Sequence, residues 1–316
     1  MNKVKIAFFG APAFAAQVLQ NILDDKNIPV TVSFVVTQPD RPAGRKQILT
    51  PTPVKILAQK NALPVFDDLK LEAVHSKLQE VDLVLLYAFG EFLPKKLLDL
   101  PTQGFWNIHP SLLPKYRNTS PIAYALLLGE LETGVSLIQM DEKLDHGPIL
   151  DQEVYSIQDS DTRADLENRL SDIGYKLFKK NVQLLIDGSI HKREQDHEKR
   201  TYSRLLTKKD GFISLPIVQK IIKGELLISS DLPPIISEYC EKYSVPMSYD
   251  SMKKIYFNMY RALSPWPGLW TYLPGEKRLK ITHMEYKEGR LTITHVQLEG
   301  KKEVPLNTFL SAYSLS

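Results

Sequence analysis

The stretch VKIAFFGAPAFAAQVLQNIL, residues 4–23, changes its hydrophobic period halfway along. Residues 4–9 form a short run, apolar but for Lys5, that stops at Gly10; this is the pattern of a strand buried inside a sheet. From Phe14 onward, Val18, Leu19, Ile22 and Leu23 recur at helical spacing. A buried strand feeding a helix is the opening unit of a parallel α/β sheet. Lys3 and Lys5 ahead of the apolar run over 6–16 imitate a secretory signal, but Gly10 and Pro12 break that run, so no leader is read here.

The same alternation continues outward. Strands are expected at 30–37, 83–87, 105–108 and 134–140, and helices at 13–23, 53–60, 71–78 and 121–128. Residues 149–157 suit a strand antiparallel to its neighbour, and a long helix is expected over 162–186 with Asp161 as its N-cap. The fold class is therefore α/β, a doubly wound, mostly parallel sheet. Such sheets bind ligands beyond the carboxyl ends of their strands, so chemistry is sought after Phe9, Thr37, Tyr87, Ile108 and Met140. The first of these turns, Gly10-Ala11-Pro12-Ala13-Phe14, has one glycine where a dinucleotide fingerprint needs three, and Pro12 lacks an amide that a phosphate could use. Neither NAD binding nor a glycine-rich Walker loop fits.

At 316 residues the chain exceeds one average domain, and 43% hydrophobic with 24% charged residues excludes wholesale disorder, collagen-like repetition and a coiled-coil rod. The longest apolar stretches, such as 83–88, fall far short of the ~20 residues that span a bilayer, so no membrane partner is expected. The single Cys240 can form neither an internal disulfide nor a cysteine-cluster metal site, which points to the reducing cytoplasm and to no metal. Charge is unevenly spread: residues 1–189 carry 20 basic against 23 acidic groups, 190–210 carry 7 against 4, 211–259 carry 5 of each, and 260–316 carry 8 against 5. A basic connector and tail behind an acidic front suits either polyanion docking or a solvated linker, and counts alone do not separate the two. Residues 216–258 are neutral with apolar clusters and read as a helical insert. After Pro265, alternation around Pro274-Gly275, Glu288-Gly289 and Glu299-Gly300 reads as short strands of a small β unit.

The chemistry-bearing residues cluster at two strand ends. Asn107 and His109, two apart on one strand, share a face. Asp145 follows the next strong strand, so an amide, an imidazole and a carboxylate could converge there. Together they suit acyl transfer to an amine: Asn107 donating to a developing oxyanion, His109 accepting a proton, Asp145 orienting the imidazole. On spacing alone, a structural histidine and ordinary turn residues fit as well.

The stretch NIHPSLLPKYR, residues 107–117, with Ser120-Pro121-Ile122 after it, resembles one hallmark of the folate-dependent formyltransferases, and ETGVSLIQMDEKLDHGPIL, residues 132–150, resembles the second. TQPDRPAGR at 37–45 followed by PTPVK, RALSPWPG at 261–268 and VQLEGKKEVPLNTFLSAY at 296–313 are similar to the methionyl-tRNA formyltransferase branch. The resemblance covers residues 3–213 and 256–314. It implies that Asn107, His109 and Asp145 are the catalytic trio and that 10-formyltetrahydrofolate is the co-substrate. Its pterin would lie in an apolar slot against Tyr87, Phe89, Gly90, Phe92 and Leu93 and the turn Ser111, Leu112, Leu113 and Pro114. The loop bearing Arg41, Arg45 and Lys46 would hold the acceptor arm of the partner, initiator methionyl-tRNA. The implied organisation is a catalytic domain over 1–189, a charged connector over 190–210, the helical insert over 211–259 and an OB-like domain over 260–316, in a chain expected to be monomeric.

Three departures stand out. Asn118 replaces the family's glycine after the tyrosine-arginine pair, and asparagine tolerates the left-handed conformation. Lys46-Gln47-Ile48 replaces Gly-Lys-Lys, exchanging one cation for an apolar side chain. THMEYKEGR, residues 282–290, is too short for the strands of a closed barrel, which leaves sheet edges that the insert could cover. Two rival readings keep the same trio or part of it: a folate-dependent N-formyltransferase acting on a sugar nucleotide amine, and a catalytically inactive RNA-binding relative. Trp266 is expected to pack rather than to stack on a base.

Overall fold

The computed structural model describes residues 3–44, 46–70, 72–245, 252–313 and 315. It has two compact units: Met1–Asn118 with Glu132–Ser156 and Leu166–Tyr202, and Thr119–Leu131 with Ile157–Asp165 and Ser203–Ser316. No helix among the described residues is long and apolar enough to cross a membrane.

The strands of the first unit are, in chain order, β1 (Val4–Gly10), β2 (Val30–Val36), β3 (Arg41–Ala43), β4 (Ile48–Thr50), β5 (Val65–Phe66), β6 (Leu83–Tyr87), β7 (Phe105–His109), β8 (Arg117–Asn118), β9 (Glu132–Gln139) and β10 (Ile149–Ser156). Helices α1 (Ala13–Asp24), α2 (Pro53–Lys60), α3 (Glu72–Leu78) and α4 (Lys95–Leu98) come before α5 (Pro121–Leu127), which belongs to the second unit; most of α6 (Arg163–Ile186) belongs to the first. Seven strands make one sheet in the order β10-β9-β7-β6-β1-β2-β5. Gly10 is required where β1 meets β6, because a Cβ there would stand 2.8 Å from the carbonyl oxygen of Tyr87.

Alternation along each strand sorts the two faces. Ala7, Phe9, Val84, Leu86 and Phe105 pack with Val74 and Leu78 of α3 and Leu97 and Leu98 of α4. Phe9 anchors this face through a tilted contact to Phe89 and an edge contact to Phe105, at 5.2 and 5.5 Å between centroids, each worth about 0.5–1.5 kcal/mol beyond area burial. On the opposite face, Tyr87 packs on Phe14 of α1 and accepts from Ser171 of α6, while Trp106 meets Phe178 of α6. Helices on both faces are what the doubly wound reading requires.

Two local expectations change. β9 runs antiparallel to β7, pairing Trp106 with Gln139 and His109 with Ser136, since hydrophobic pattern carries no strand direction. The N-cap of α6 is Thr162, not Asp161: its Oγ1 accepts from Asp165 N at 3.3 Å while Asp165 accepts from Thr162 N at 2.9 Å. Asp161 instead accepts from Gln158 N in the preceding turn. Leu71, the expected first residue of α3, lies outside the described residues.

After strand β11 (Tyr202–Ser203), the second unit carries α7 (Leu215–Lys223), α8 (Pro234–Tyr243), α9 (Met252–Leu263), β12 (Leu269–Tyr272), β13 (Arg278–Lys287), β14 (Arg290–Leu298), β15 (Glu303–Pro305) and α10 (Leu306–Ala312). Helices α7, α8 and α9 lie in or overlap residues 211–259, of which 246–251 lie outside the described residues. β12 to β15 form a four-stranded antiparallel sheet in sequence order. Helices α7 and α9 both pack against it, and Ile213 N donates to Trp270 O at 2.8 Å along the β12 edge. Arg261 of α9 is buried, donating to the Gln158 and Asp161 carbonyls and to Asn258 Oδ1. Trp266, expected to pack, is 47% exposed.

A bidentate pair, Arg204 to Asp210 at 2.7 and 2.9 Å, closes the turn before α7. Burial pushes the Asp210 carboxyl up, but Arg204 and the Thr207 donors outweigh it and hold it below the usual carboxylate range. A depressed carboxyl contributes stability above its unfolded pKa and loses it as pH falls through the folded value. Arg204→Met is therefore expected to destabilise by about 2 kcal/mol at pH 7, less than a fully buried pair because the arginine is part exposed. Denaturant titrations should show that difference shrinking toward pH 3; a pH-independent difference would assign the effect to packing.

Candidate active site

Asn107 and His109 stand on β7, on the face shared with Phe105, and both are nearly fully buried. Because β9 runs the other way, its end does not carry Asp145 to them. The loop over 140–148 does so, turning back until Gln139 N meets Pro148 O at 3.0 Å. Gly147 is needed at the crossing, where a Cβ would stand 1.9 Å from the carbonyl oxygen of Gln139. Asp145 has φ +45°, and its Oδ1 accepts from Asn107 Nδ2 at 3.1 Å and lies 3.5 Å from His109 Nδ1. Its Oδ2 accepts from Asn118 N at 2.7 Å. Asn118 has φ +78°, the left-handed conformation anticipated for it. The three residues thus meet.

The tautomer follows from the neighbours. His109 Nε2 is 2.9 Å from the carbonyl oxygen of Tyr116, which can only accept, so Nε2 carries the hydrogen. Nδ1 then carries the ring's lone pair, with the Asp145 carboxylate 3.5 Å away as a counter-charge. Asn107 has a second N–H beyond the one given to Asp145. A base, a counter-charge and a donor within one cluster are the parts an acyl transfer to an amine needs.

The residues expected around a pterin divide. Tyr87 is fully buried on the opposite face from Asn107, since β6 pairs Leu86 with Asn107 and alternation turns Tyr87 away. Burial pushes its hydroxyl well above the usual phenol range, and its side chain does not reach the site. Phe89 and Leu93 belong to the core beside Phe105, whereas Gly90 is exposed and Phe92 is 68% exposed. Ser111 and Leu113 are buried within a turn tied to β9: Ser111 Oγ donates to Lys115 O, Ser136 Oγ to Ser111 O and Leu113 N to Ser136 Oγ. Leu112 and Pro114 are half-buried on that turn. These bonds tie the turn that follows β7 to β9. A cavity of about 540 Å³ is bordered by Leu98, Gly104, Met140, Asp141 and Lys143, on the loop that leads to Asp145.

The segment around Arg41 is a hairpin of β3 and β4, with Arg41 opposite Thr50. Its base is anchored by Lys55, which meets Asp40 at 2.7 Å and Asp67 at 2.9 Å and is raised by both. Arg41 and Lys46 are exposed, as are Ile48 and Leu49 near the tip; Arg45 lies outside the described residues. Sequence reasoning missed Asn118 N as a ligand of the carboxylate and missed Gln195 altogether. Among the described residues no group of three His, Cys, Asp or Glu is placed to hold a metal ion.

Fold and site together define the class. Residues 4–182 match the formyl transferase family, and the trio lies within that span. The methionyl-tRNA formyltransferase of Geotalea daltonii is 32% identical over 339 aligned positions, covering 99% of this chain and 96% of that protein. That of Thermotoga neapolitana is 34% identical over 321 positions, covering 95% and 100%. The crystal structure of the N-formyltransferase from Helicobacter canadensis in complex with folinic acid and dTDP-3-aminofucose is similar in fold, with a TM-score of 0.56 at 19% identity over 96% of this chain and 98% of that one. The chain belongs to the methionyl-tRNA formyltransferase family.

Proposed function

We propose that this enzyme transfers the formyl group of 10-formyltetrahydrofolate to the α-amino group of methionine on initiator methionyl-tRNA, the step that readies it for translation initiation. The observation that carries the reading is the meeting of Asn107, His109 and Asp145 in a chain similar along its whole length to enzymes of that name. The cavity beside the 140–148 loop has apolar surface from Leu98 and Met140 for a flat ring, within a rim where Lys95, Lys143 and Lys192 stand among Asp99, Asp141 and Glu142. The donor supplies an N-formyl carbon open to attack by an amine.

The chain's own residues do the rest. An α-amino group has a pKa of about 7.7–8.0, so at neutral pH a usable fraction is uncharged before it arrives. As its lone pair forms the new C–N bond, the surplus proton passes from nitrogen to His109 Nδ1, and Asp145 holds the imidazolium. Asn107 Nδ2 donates to the formyl oxygen while negative charge develops there. When the bond to the donor nitrogen breaks, the imidazolium returns its proton to that nitrogen, leaving both products neutral at the reacting atoms.

Labelled formyl donor offered with charged initiator tRNA and, separately, with amino sugar nucleotides tests the reading: label on methionine supports it, label only on the sugar overturns it. The β3–β4 hairpin is assigned to tRNA phosphate. Arg41→Ala is expected to raise KM for tRNA several-fold with kcat little changed, and to reduce the slope of log affinity against log salt by about 1. Filter binding over a salt series checks this, and an unaltered slope counts against the assignment.

A further inference from the structure

The most densely charged part of the connector, residues 191–200, holds a buried amide. Gln195 is 5% exposed between the exposed Glu194 and Asp196. Its Nε2 donates to the carbonyls of Asp145 at 2.9 Å and Gly147 at 2.8 Å, and its Oε1 accepts from Arg117 Nη2 at 2.6 Å. Arginine can only donate and the two carbonyls can only accept, so a primary amide turned this way is the side chain that satisfies both sides.

The loop it touches needs holding. Asp145 occupies the left-handed region, which disfavours a side-chain-bearing residue by about 1–2 kcal/mol. The carboxylate is held from one side by Asn118 N, and Asn118 follows Arg117 directly. Arg117, 1% exposed, therefore joins two restraints on Asp145: one on its carboxylate through residue 118, one on its main chain through Gln195. A third contact comes from the same connector, where the His197 ring stacks on His146 with centroids 4.0 Å apart and its Nδ1 meets Arg117 at 2.8 Å.

We infer that Gln195 is a positioning residue for the transfer reaction: by gripping the main chain at Asp145 and Gly147 it sets the place of the Asp145 carboxylate against His109 Nδ1. The inference rests on the reaction proposed above. Displacing a catalytic group by about 1 Å lowers rates by roughly a hundredfold, which bounds the expected effect.

In the full-length enzyme, Gln195→Ala should lower kcat for methionyl-tRNA formylation about 30- to 100-fold while KM for either substrate changes little; the three buried bonds it removes also lower Tm, so rates are compared well below the melting range of the variant. Gln195→Glu has the same shape but turns an oxygen toward two carbonyl oxygens, so its loss should be at least as large. A structural role alone would move KM together with kcat. In an Asp145→Asn background, followed by single-turnover transfer of labelled formyl, Gln195→Ala should cost less than threefold more, because the carboxylate it places is gone; a multiplicative loss overturns the inference. A crystal structure of Gln195→Ala, which needs no substrate, should show the 144–148 loop displaced by about 1 Å over an unmoved sheet, and an unmoved Asp145 also overturns it. Absence of formyl transfer by the unaltered enzyme would sink the proposed reaction and leave the crystallographic arm to decide this one. Transfer by the unaltered enzyme with undiminished kcat in Gln195→Ala would sink this inference alone, as would failure of both variants to fold.

Discussion

His109→Ala and Asp145→Ala should each lower kcat for formyl transfer by about a thousandfold or more while leaving tRNA affinity within a few-fold of the unaltered enzyme. The magnitude follows from the roles. A positioned base contributes about 10²–10⁴ in rate, and the imidazole and its carboxylate act as one unit, with Nδ1 and Oδ1 3.5 Å apart. Removing either disables the other, so the double variant should be scarcely slower than each single one, as expected for groups that work together. His109→Ala also removes the bond from His109 Nε2 to the Tyr116 carbonyl, a loss of about 0.5–1.5 kcal/mol in stability, so a denaturation curve must accompany the rates. Single-turnover transfer of labelled formyl measures the chemistry, and filter binding measures tRNA. Equal losses in both would mean that these side chains hold the fold rather than the reaction.

How far the sequence could be read depended on burial. β1, β2, β6 and β7 were legible because strands covered on both faces must be apolar throughout, and the amphipathic period of α1 and α6 is set by the same core. Strand direction leaves no such trace, so the antiparallel run of β9 was not foreseen, and the meeting of Asp145 with Asn107 was expected from strand ends when a returning loop achieves it. Tyr87 shows the converse. Its alternation with Leu86 was in the sequence, but which of the two faces β7's polar residues depended on register, and register is set by pairing. The β3–β4 hairpin escaped notice because its residues are exposed, Ile48 and Leu49 included. Gln195 was hidden for a related reason: a buried amide within HKREQDHEKR has no periodic apolar neighbours to mark it. The trio itself is legible from residue types that fit the chemistry and from likeness to known hallmarks, not from pattern.

Asn107→Ala should lower kcat about 100- to 1000-fold, the usual range for losing one donor to a developing oxyanion. Two effects are combined in that variant, because Asn107 Nδ2 also donates to Asp145 Oδ1 at 3.1 Å. Asn107→Asp separates them. It keeps shape and volume in a site only 7% exposed but replaces two N–H donors by acceptors. It therefore faces the Asp145 carboxylate with like charge and the reacting oxygen with the wrong polarity, whereas alanine leaves a gap that water can enter. If oxyanion stabilisation dominates, aspartate should be slower than alanine, with KM for the formyl donor similar in the two. If Asn107 serves chiefly to hold Asp145, both variants should lose rate in the proportion that Gln195→Ala does, and adding Gln195→Ala to either should change little. Steady-state rates for the two variants, compared at saturating donor and tRNA, distinguish the cases.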